Sequence, residues 1–163
     1  VPENRKTQGF IKELSNADNI AITYLDKFLN KYFINHDKVK KNAKYFIDKM
    51  QLTPSDEDYK TFNLSGGNQQ KVVIAKWLSR NVDILILDEP TKGIDVGAKA
   101  EIYKLMEELI YEGKSIIMIS SELPEIIGMS DRVLVFNEGR IIKELYRDEL
   151  SEEKILHYAM GGN

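Results

Sequence analysis

The rhythm of apolar and polar positions changes at about Leu64. Before it the chain is polar and rich in Lys and Asn, with its apolar residues at helical spacing. Asn16-Ala17-Asp18 is placed to cap a helix running through Ile20, Tyr24, Leu25 and Phe28. A second helix is predicted from about Asp37 to Leu52, with Val39, Ala43, Phe46, Ile47 and Met50 on one stripe. Pro54 and Ser55 mark a loop.

After Leu64, short apolar runs alternate with amphipathic stretches. Gln70 to Arg80 reads as a helix with Val73, Ile74, Trp77 and Leu78 toward a core. The unbroken apolar run between Asp83 and Asp88 predicts a parallel strand covered on both faces. Ala98 to Glu112 is an amphipathic helix with Gly113 as its stop, and Ser115 to Ser120 a second buried strand. A short helix over Pro124 to Met129 comes next. Arg132 to Phe136 and Arg140 to Leu145 then flank Asn137-Glu138-Gly139 as a hairpin. Ser151 begins a last helix, with Glu152 and Glu153 in its favourable first turn. Strand–helix alternation implies an α/β core, and the helical first part reads as a subdomain attached to it.

Composition narrows the class without naming a chemistry. A chain of 163 residues, 42% hydrophobic and 30% charged, is an ordinary globular one. A net charge of −3 offers no argument for nucleic acid or an anionic membrane surface as partner. The chain has no cysteine, so thiol chemistry is excluded. Its apolar runs, such as Val82 to Leu87, are too short to cross a bilayer. No signal peptide follows Val1-Pro2-Glu3-Asn4-Arg5-Lys6, so membrane association is expected through a partner protein.

Two segments carry chemistry. In Leu64-Ser65-Gly66-Gly67-Asn68-Gln69-Gln70-Lys71, two bare glycines open a helix, whose unpaired amides and positive dipole end favour a phosphate. Taken alone, the same residues also describe a plain serine cap on a glycine turn. The second segment is the apolar run that delivers Asp88-Glu89 at its end, followed by Pro90. Ligands of open parallel sheets bind at that end of the strands. An acid there can hold Mg²⁺, and its neighbour can activate water.

Order and spacing join the two. A Leu-Ser-Gly-Gly-Asn-Gln-Gln segment, a helix, a strand ending Asp-Glu-Pro-Thr, and then Gly93-Ile94-Asp95 together resemble the ABC ATPase family. The closer resemblance is to the second ATPase domain of sugar importers of the ribose, galactose and xylose type. It is carried by Val1 to Gly9, Thr53-Pro54-Ser55, Lys76-Trp77-Leu78, Ser120-Ser121-Glu122-Leu123-Pro124-Glu125 and the Asp131-Arg132 strand. The fold it implies is an α/β, P-loop NTPase-like ABC ATPase core, partial and lacking the P-loop strand, with a helical subdomain. Residues 1–80 would hold a Q-loop-like segment and the helical subdomain with the signature helix; residues 81–163 would hold the Walker B core, hairpin and last helix.

The resemblance also implies roles. Ser65, Gly66, Gly67 and Gln69 would meet the γ-phosphate of an ATP held by a paired ATPase domain. Asp88 would hold Mg²⁺, Glu89 would be the general base for hydrolytic water, and Asp95 would couple the two sites across the dimer. The partners implied are that paired domain, membrane permease subunits and, indirectly, a sugar-binding protein, with no nucleic acid. The implied place is the cytoplasmic face of the membrane, held there by the permease.

Three departures qualify this. No Gly-x-x-x-x-Gly-Lys-Ser/Thr motif occurs; Gly113-Lys114-Ser115 has Glu108 where the first glycine belongs and lies between a helix and a strand, the reverse of a P-loop. In the family the P-loop precedes the segment that starts at Val1, so this chain is expected to be the signature-bearing remainder, not binding or hydrolysing ATP alone. Ser121 stands where the family has its switch histidine, and Glu3 where it has the Q-loop glutamine. Both changes point to a site that turns over slowly and serves mainly to offer Ser65-Gly66-Gly67 to the other domain. His36 and His157 lie outside any motif and read as structural or exposed. Competing readings are a non-transport ABC-type ATPase acting on nucleic acid or the ribosome, against which the lack of basic arms counts, and an inert interaction remnant. An uncovered Ile84 to Leu87 strand would expose apolar surface and lead the chain to self-associate.

Overall fold

The computed structural model describes residues 1–162. They form two compact units, residues 1–119 and residues 120–162, each with its own packing.

The first unit is built around one buried helix. Helix α3 (Gly66–Leu78) carries Val72, Val73, Ile74 and Ala75, all fully buried. Three of these are β-branched and favour strands in isolation, so packing rather than propensity holds the helix. Helix α1 (Asn16–Ala21) packs against α3, capped by Ser15, whose hydroxyl accepts from the Asp18 amide at 3.1 Å. The expected continuation through Phe28 is instead a 3₁₀ segment, Ile22–Phe28, broken at Tyr24. The cause is tertiary: the Thr23 hydroxyl donates to the Lys76 carbonyl at 2.8 Å, and Arg80 donates to the Thr23 carbonyl at 3.0 Å. Strands β1 (Leu29–Asn30) and β2 (Phe33–Ile34) then form a small antiparallel hairpin. Helix α2 (His36–Lys49) follows, capped by Asn35, close to its expected span.

The α/β portion of this unit has β3 (Ile84–Asp88) parallel to β4 (Ser115–Ile119), with α4 (Val96–Tyr111) as the crossover between them. Gly113 takes φ +84° just after α4, the left-handed stop expected of it. Leu85 and Leu87 face the buried side. The expectation that both strands are covered on both faces needs correction. Ile84, Ile86, Ile117 and Ile119 are 59%, 52%, 53% and 51% exposed, because among the described residues no layer packs on that face. At the edge of β3 away from β4, Val1 takes up the ladder: its carbonyl accepts from the Asp88 amide at 3.0 Å.

The second unit holds α5 (Leu123–Met129), the hairpin β5 (Arg132–Asn137) and β6 (Arg140–Tyr146), and α6 (Glu152–Ala159). Glu138 and Gly139 have φ 47° and 76°, the two positive angles that a two-residue hairpin turn needs. Val133, Val135, Leu145 and Ile155 are its core. Among the described residues no helix is long and apolar enough to cross a membrane.

Candidate functional site

Local chemistry positions the first glycines. Ser65 caps α3, its hydroxyl accepting from the Asn68 amide at 3.4 Å and from the Asn68 side chain at 3.0 Å. Asn68 in turn accepts from the Thr53 amide at 3.2 Å, which ties the loop after α2 to the start of α3. Ser65 stays exposed while Gly67 is buried. The capping of α3 therefore leaves Ser65 facing solvent.

Packing brings a second loop against this start. A Cβ on Gly67 would lie 2.6 Å from the Ala98 Cβ, so the glycine is what lets α3 and α4 approach. A Cβ on Gly66 would lie 3.4 Å from the Gly93 carbonyl oxygen. Asp95 caps α4 by accepting from the Ala98 amide at 2.9 Å. Ser65-Gly66-Gly67 and Asp95 are thus brought to one place.

Asp88 and Glu89 stand half-buried at the carboxyl end of β3. The Glu89 amide donates to the Ile119 carbonyl at 2.8 Å, continuing the sheet, yet Glu89 takes φ 48°. A left-handed glutamate is uncommon and costs about 1–2 kcal/mol relative to ordinary backbone. The strain turns the chain sharply out of the sheet, and the Lys92 amide closes that turn on the Glu89 carbonyl at 3.2 Å. Among the described residues no group of three or more acids or histidines forms a metal cage. A single strand-tip carboxylate suits Mg²⁺, which binds through one or two carboxylates with phosphate and water completing its shell.

The residue that sequence reasoning missed is Arg5. It lies in a π-helical turn, Arg5–Gly9, and is buried. Its guanidinium donates to the Lys92 carbonyl at 2.8 Å and the Gly93 carbonyl at 3.0 Å, and it lies against Gly66. Burial lowers its pKa from the ordinary arginine value. Beside it, Lys92 and Glu3 form an exposed ion pair at 2.5 Å, and the hydrogen bond that the Lys92 ammonium donates to the Glu3 carboxylate raises the Lys92 pKa. Glu3, Arg5, Lys92 and Gly93 line a cleft of about 280 Å³. The Arg-Lys pair in the opening segment was visible as a match, but nothing local marks an arginine as buried.

Gln69 is not brought to this exposed cluster. It is buried, and its amide group donates to the Phe62 and Leu64 carbonyls, both at 3.0 Å, so it braces the approach to α3. Ser121 is exposed and belongs to the second unit. There the neighbouring Ser120 hydroxyl donates to Glu125 and accepts from the Glu122 amide at 3.0 Å.

Comparison with known proteins places the chain among relatives. The ABC transporter family model matches residues 3–92. Ribose import ATP-binding protein RbsA of Oceanobacillus iheyensis is 51% identical over 163 residues, which is all of this chain and 33% of that protein. Xylose import ATP-binding protein XylG of Moorella thermoacetica is 49% identical over 162 residues, 99% of this chain and 32% of that protein. The chain therefore spans about a third of the length of the curated relatives it matches. Among solved structures, CbiO1 of Clostridium perfringens, part of an ABC transporter complex, gives a TM-score of 0.73 at 26% identity over 96% of this chain and 59% of that one. A nucleotide-free ATP-binding cassette from an ABC transporter gives 0.75 at 24% identity, over 92% of this chain and 64% of its own.

Proposed function

The chain belongs to the ABC transporter family, and from that premise we propose that it forms part of the ATP-hydrolysing subunit of a bacterial sugar importer. The fold is that of an ABC ATPase cassette. In this reading residues 1–80 supply the Q-loop-like segment and signature helix, and residues 81–163 the Walker B core. The phosphate-binding loop comes from outside these residues. The assembled subunit works at the cytoplasmic face of the membrane, with a paired ATPase domain, permease subunits and, indirectly, a sugar-binding protein.

The observation that carries the reading is the convergence of Ser65-Gly66-Gly67 with Gly93 and the start of α4, with Asp88-Glu89 at the strand tip in the same unit. Ser65 and the amides of Gly66 and Gly67 would face the γ-phosphate of an ATP seated on the other domain, where helix-end amides favour negative charge. Asp88 would hold Mg²⁺, which when bound offsets the charge of the phosphates. Glu89 would take the proton of the attacking water, and its rigid, strained backbone would hold the carboxylate in place before reaction. Asp95, fixed as the α4 cap, would carry the link between the two sites of the dimer. Glu3 and Ser121, in the places of the Q-loop glutamine and the switch histidine, would leave this chain's own site slow, so its main service would be the signature it offers to the partner.

Two measurements test this. Isothermal titration of the 163-residue chain with Mg-ATP should give no binding; micromolar affinity would mean that the site needs no external phosphate loop. In the longer protein, Ser65→Arg should lower ATP turnover more than Glu89→Gln does. Intact turnover with Ser65→Arg, together with complete loss with Glu89→Gln, would reverse the assignment.

A further inference from the structure

The β1–β2 hairpin is a strongly exposed apolar feature of the first unit, and it does not belong to the site described above. All six residues from Leu29 to Ile34 are exposed, with Tyr32 at 91% and Phe33 at 79%. This is not a frayed end. Phe28 at its root is 2% exposed, the Asn35 amide closes the base on the Phe28 carbonyl at 2.8 Å, and Asn35 caps α2. Between these anchors Lys31 takes φ 58° at the turn. A fixed hairpin thus presents two aromatic rings to solvent.

Charge around the hairpin runs against the charge of the chain. The whole sequence carries −3, yet residues 24–49 contain seven lysines against three aspartates. Lys40, Lys44 and Lys49 are paired with Asp58, Asp48 and Glu112. Lys31 at the turn, and Lys38 and Lys41 at the start of α2, remain exposed. Asp26 and Asp37 are the acids nearest in sequence, one on either side of the hairpin.

We propose that this hairpin is a contact for an anionic lipid surface, with Tyr32 and Phe33 entering the headgroup boundary and Lys31, Lys38 and Lys41 meeting lipid phosphates. Aromatic tips with lysine neighbours are the composition of interfacial anchors. A protein partner fits less well, because lysine is depleted in the cores of protein interfaces. Each lysine near an anionic surface improves partitioning about fivefold. The proposal does not depend on the ATPase reading, and it adds a direct lipid contact to whatever partner protein holds the chain at a membrane.

The test uses the 163-residue chain with vesicles of phosphatidylcholine alone or with one-third phosphatidylglycerol. Binding is expected to the anionic vesicles, weakening with salt, and to be at least about tenfold lower on phosphatidylcholine. Tyr32→Ser with Phe33→Ser should reduce it about tenfold or more, as should Lys31→Glu with Lys38→Glu. Unchanged thermal midpoints would show that these exposed positions leave the fold intact. Tyr32→Trp should bind as the parent does, with its indole emission shifted to the blue and quenched by brominated lipid. Equal binding to both vesicles, or no loss in the hairpin variants, overturns the proposal. So does loss only on Ile86→Lys with Ile117→Glu, which would assign the effect to the exposed sheet face. Hairpin variants that spare vesicle binding while weakening capture by a permease would assign the hairpin to protein instead.

Discussion

Arg5 lies so close to Gly66 that a Cβ added to the glycine would come within 2.7 Å of the guanidinium Nη2. The arginine cannot simply swing away, because it is buried and both of its terminal nitrogens donate, to the Lys92 and Gly93 carbonyls. One side chain therefore ties the opening segment, the start of α3 and the loop after β3 together.

Gly66→Ala should consequently cost about 1–3 kcal/mol in urea unfolding, the range for losing hydrogen bonds to a charged group. Alanine is the better helix former, so the sign itself is informative. In an Arg5→Ala background the same substitution should cost nothing further or stabilise, and an undiminished penalty there would refute the contact.

Gly67 meets a different neighbour, Ala98, whose Cβ would be 2.6 Å away. Gly67→Ala should destabilise by about 1–3 kcal/mol through overpacking of α3 on α4. Ala98→Gly should restore most of that loss, and a double-mutant cycle should read a coupling of at least about 1 kcal/mol. Simple additivity would mean that the helices shift apart freely.

Glu89 holds φ 48°, an angle that glycine adopts without penalty. Glu89→Gly should therefore raise the stability of the chain by about 0.5–1 kcal/mol. Under the proposed role it should also lower hydrolysis in the assembled protein, but by less than Ser65→Arg does. A drop in stability would show that the glutamate side chain makes a compensating contact.

Lys76 is buried, its ammonium donating to the Gly9 carbonyl, and desolvation lowers its pKa below the ordinary 10.5. Over the pH interval just below 10.5 the unfolded chain binds this proton and the folded chain releases it. Folding stability attributable to Lys76 therefore rises with pH through that interval, and the cost of the buried charge is full below the folded-state value. Lys76→Met should flatten this rise. At neutral pH its net effect should stay within about 1–2 kcal/mol, since relief from desolvation offsets the lost bond. Parallel stability–pH curves for the two chains would show that the lysine does not titrate there.

Ile86 and Ile117 are register partners on the exposed face of the β3–β4 sheet. Apolar surface of this kind drives association in water. Sedimentation velocity should show the weight-average mass of the 163-residue chain rising with concentration. Ile86→Lys with Ile117→Glu, an opposed pair across the strands, should suppress that rise. A chain that stays monomeric at high concentration would remove the prediction.

The sequence by itself determined what local chemistry decides. Ser65 is a short polar residue ahead of a helical run, so its capping role was legible, whereas the Asp95 cap on α4 emerged only from the structure. The Asp88-Glu89 pair was legible too, because an apolar run can end in acids only where it leaves the core. Tertiary structure alone decided the rest. Arg5 is a charged residue in a polar segment, and only the carbonyls of Lys92 and Gly93, far along the chain, make its burial tolerable. The helix that starts at Asn16 ends at Ala21, and the 3₁₀ segment after it breaks at Tyr24, because Thr23 exchanges its local partners for Lys76 and Arg80. Gln69 turns inward for the Phe62 and Leu64 carbonyls rather than outward with Ser65. The strands taken alone read as buried on both sides, and only the missing P-loop strand pointed to exposed apolar surface over Ile84 to Leu87; Ile84 and Ile86 are exposed, since burial belongs to whatever packs on a strand.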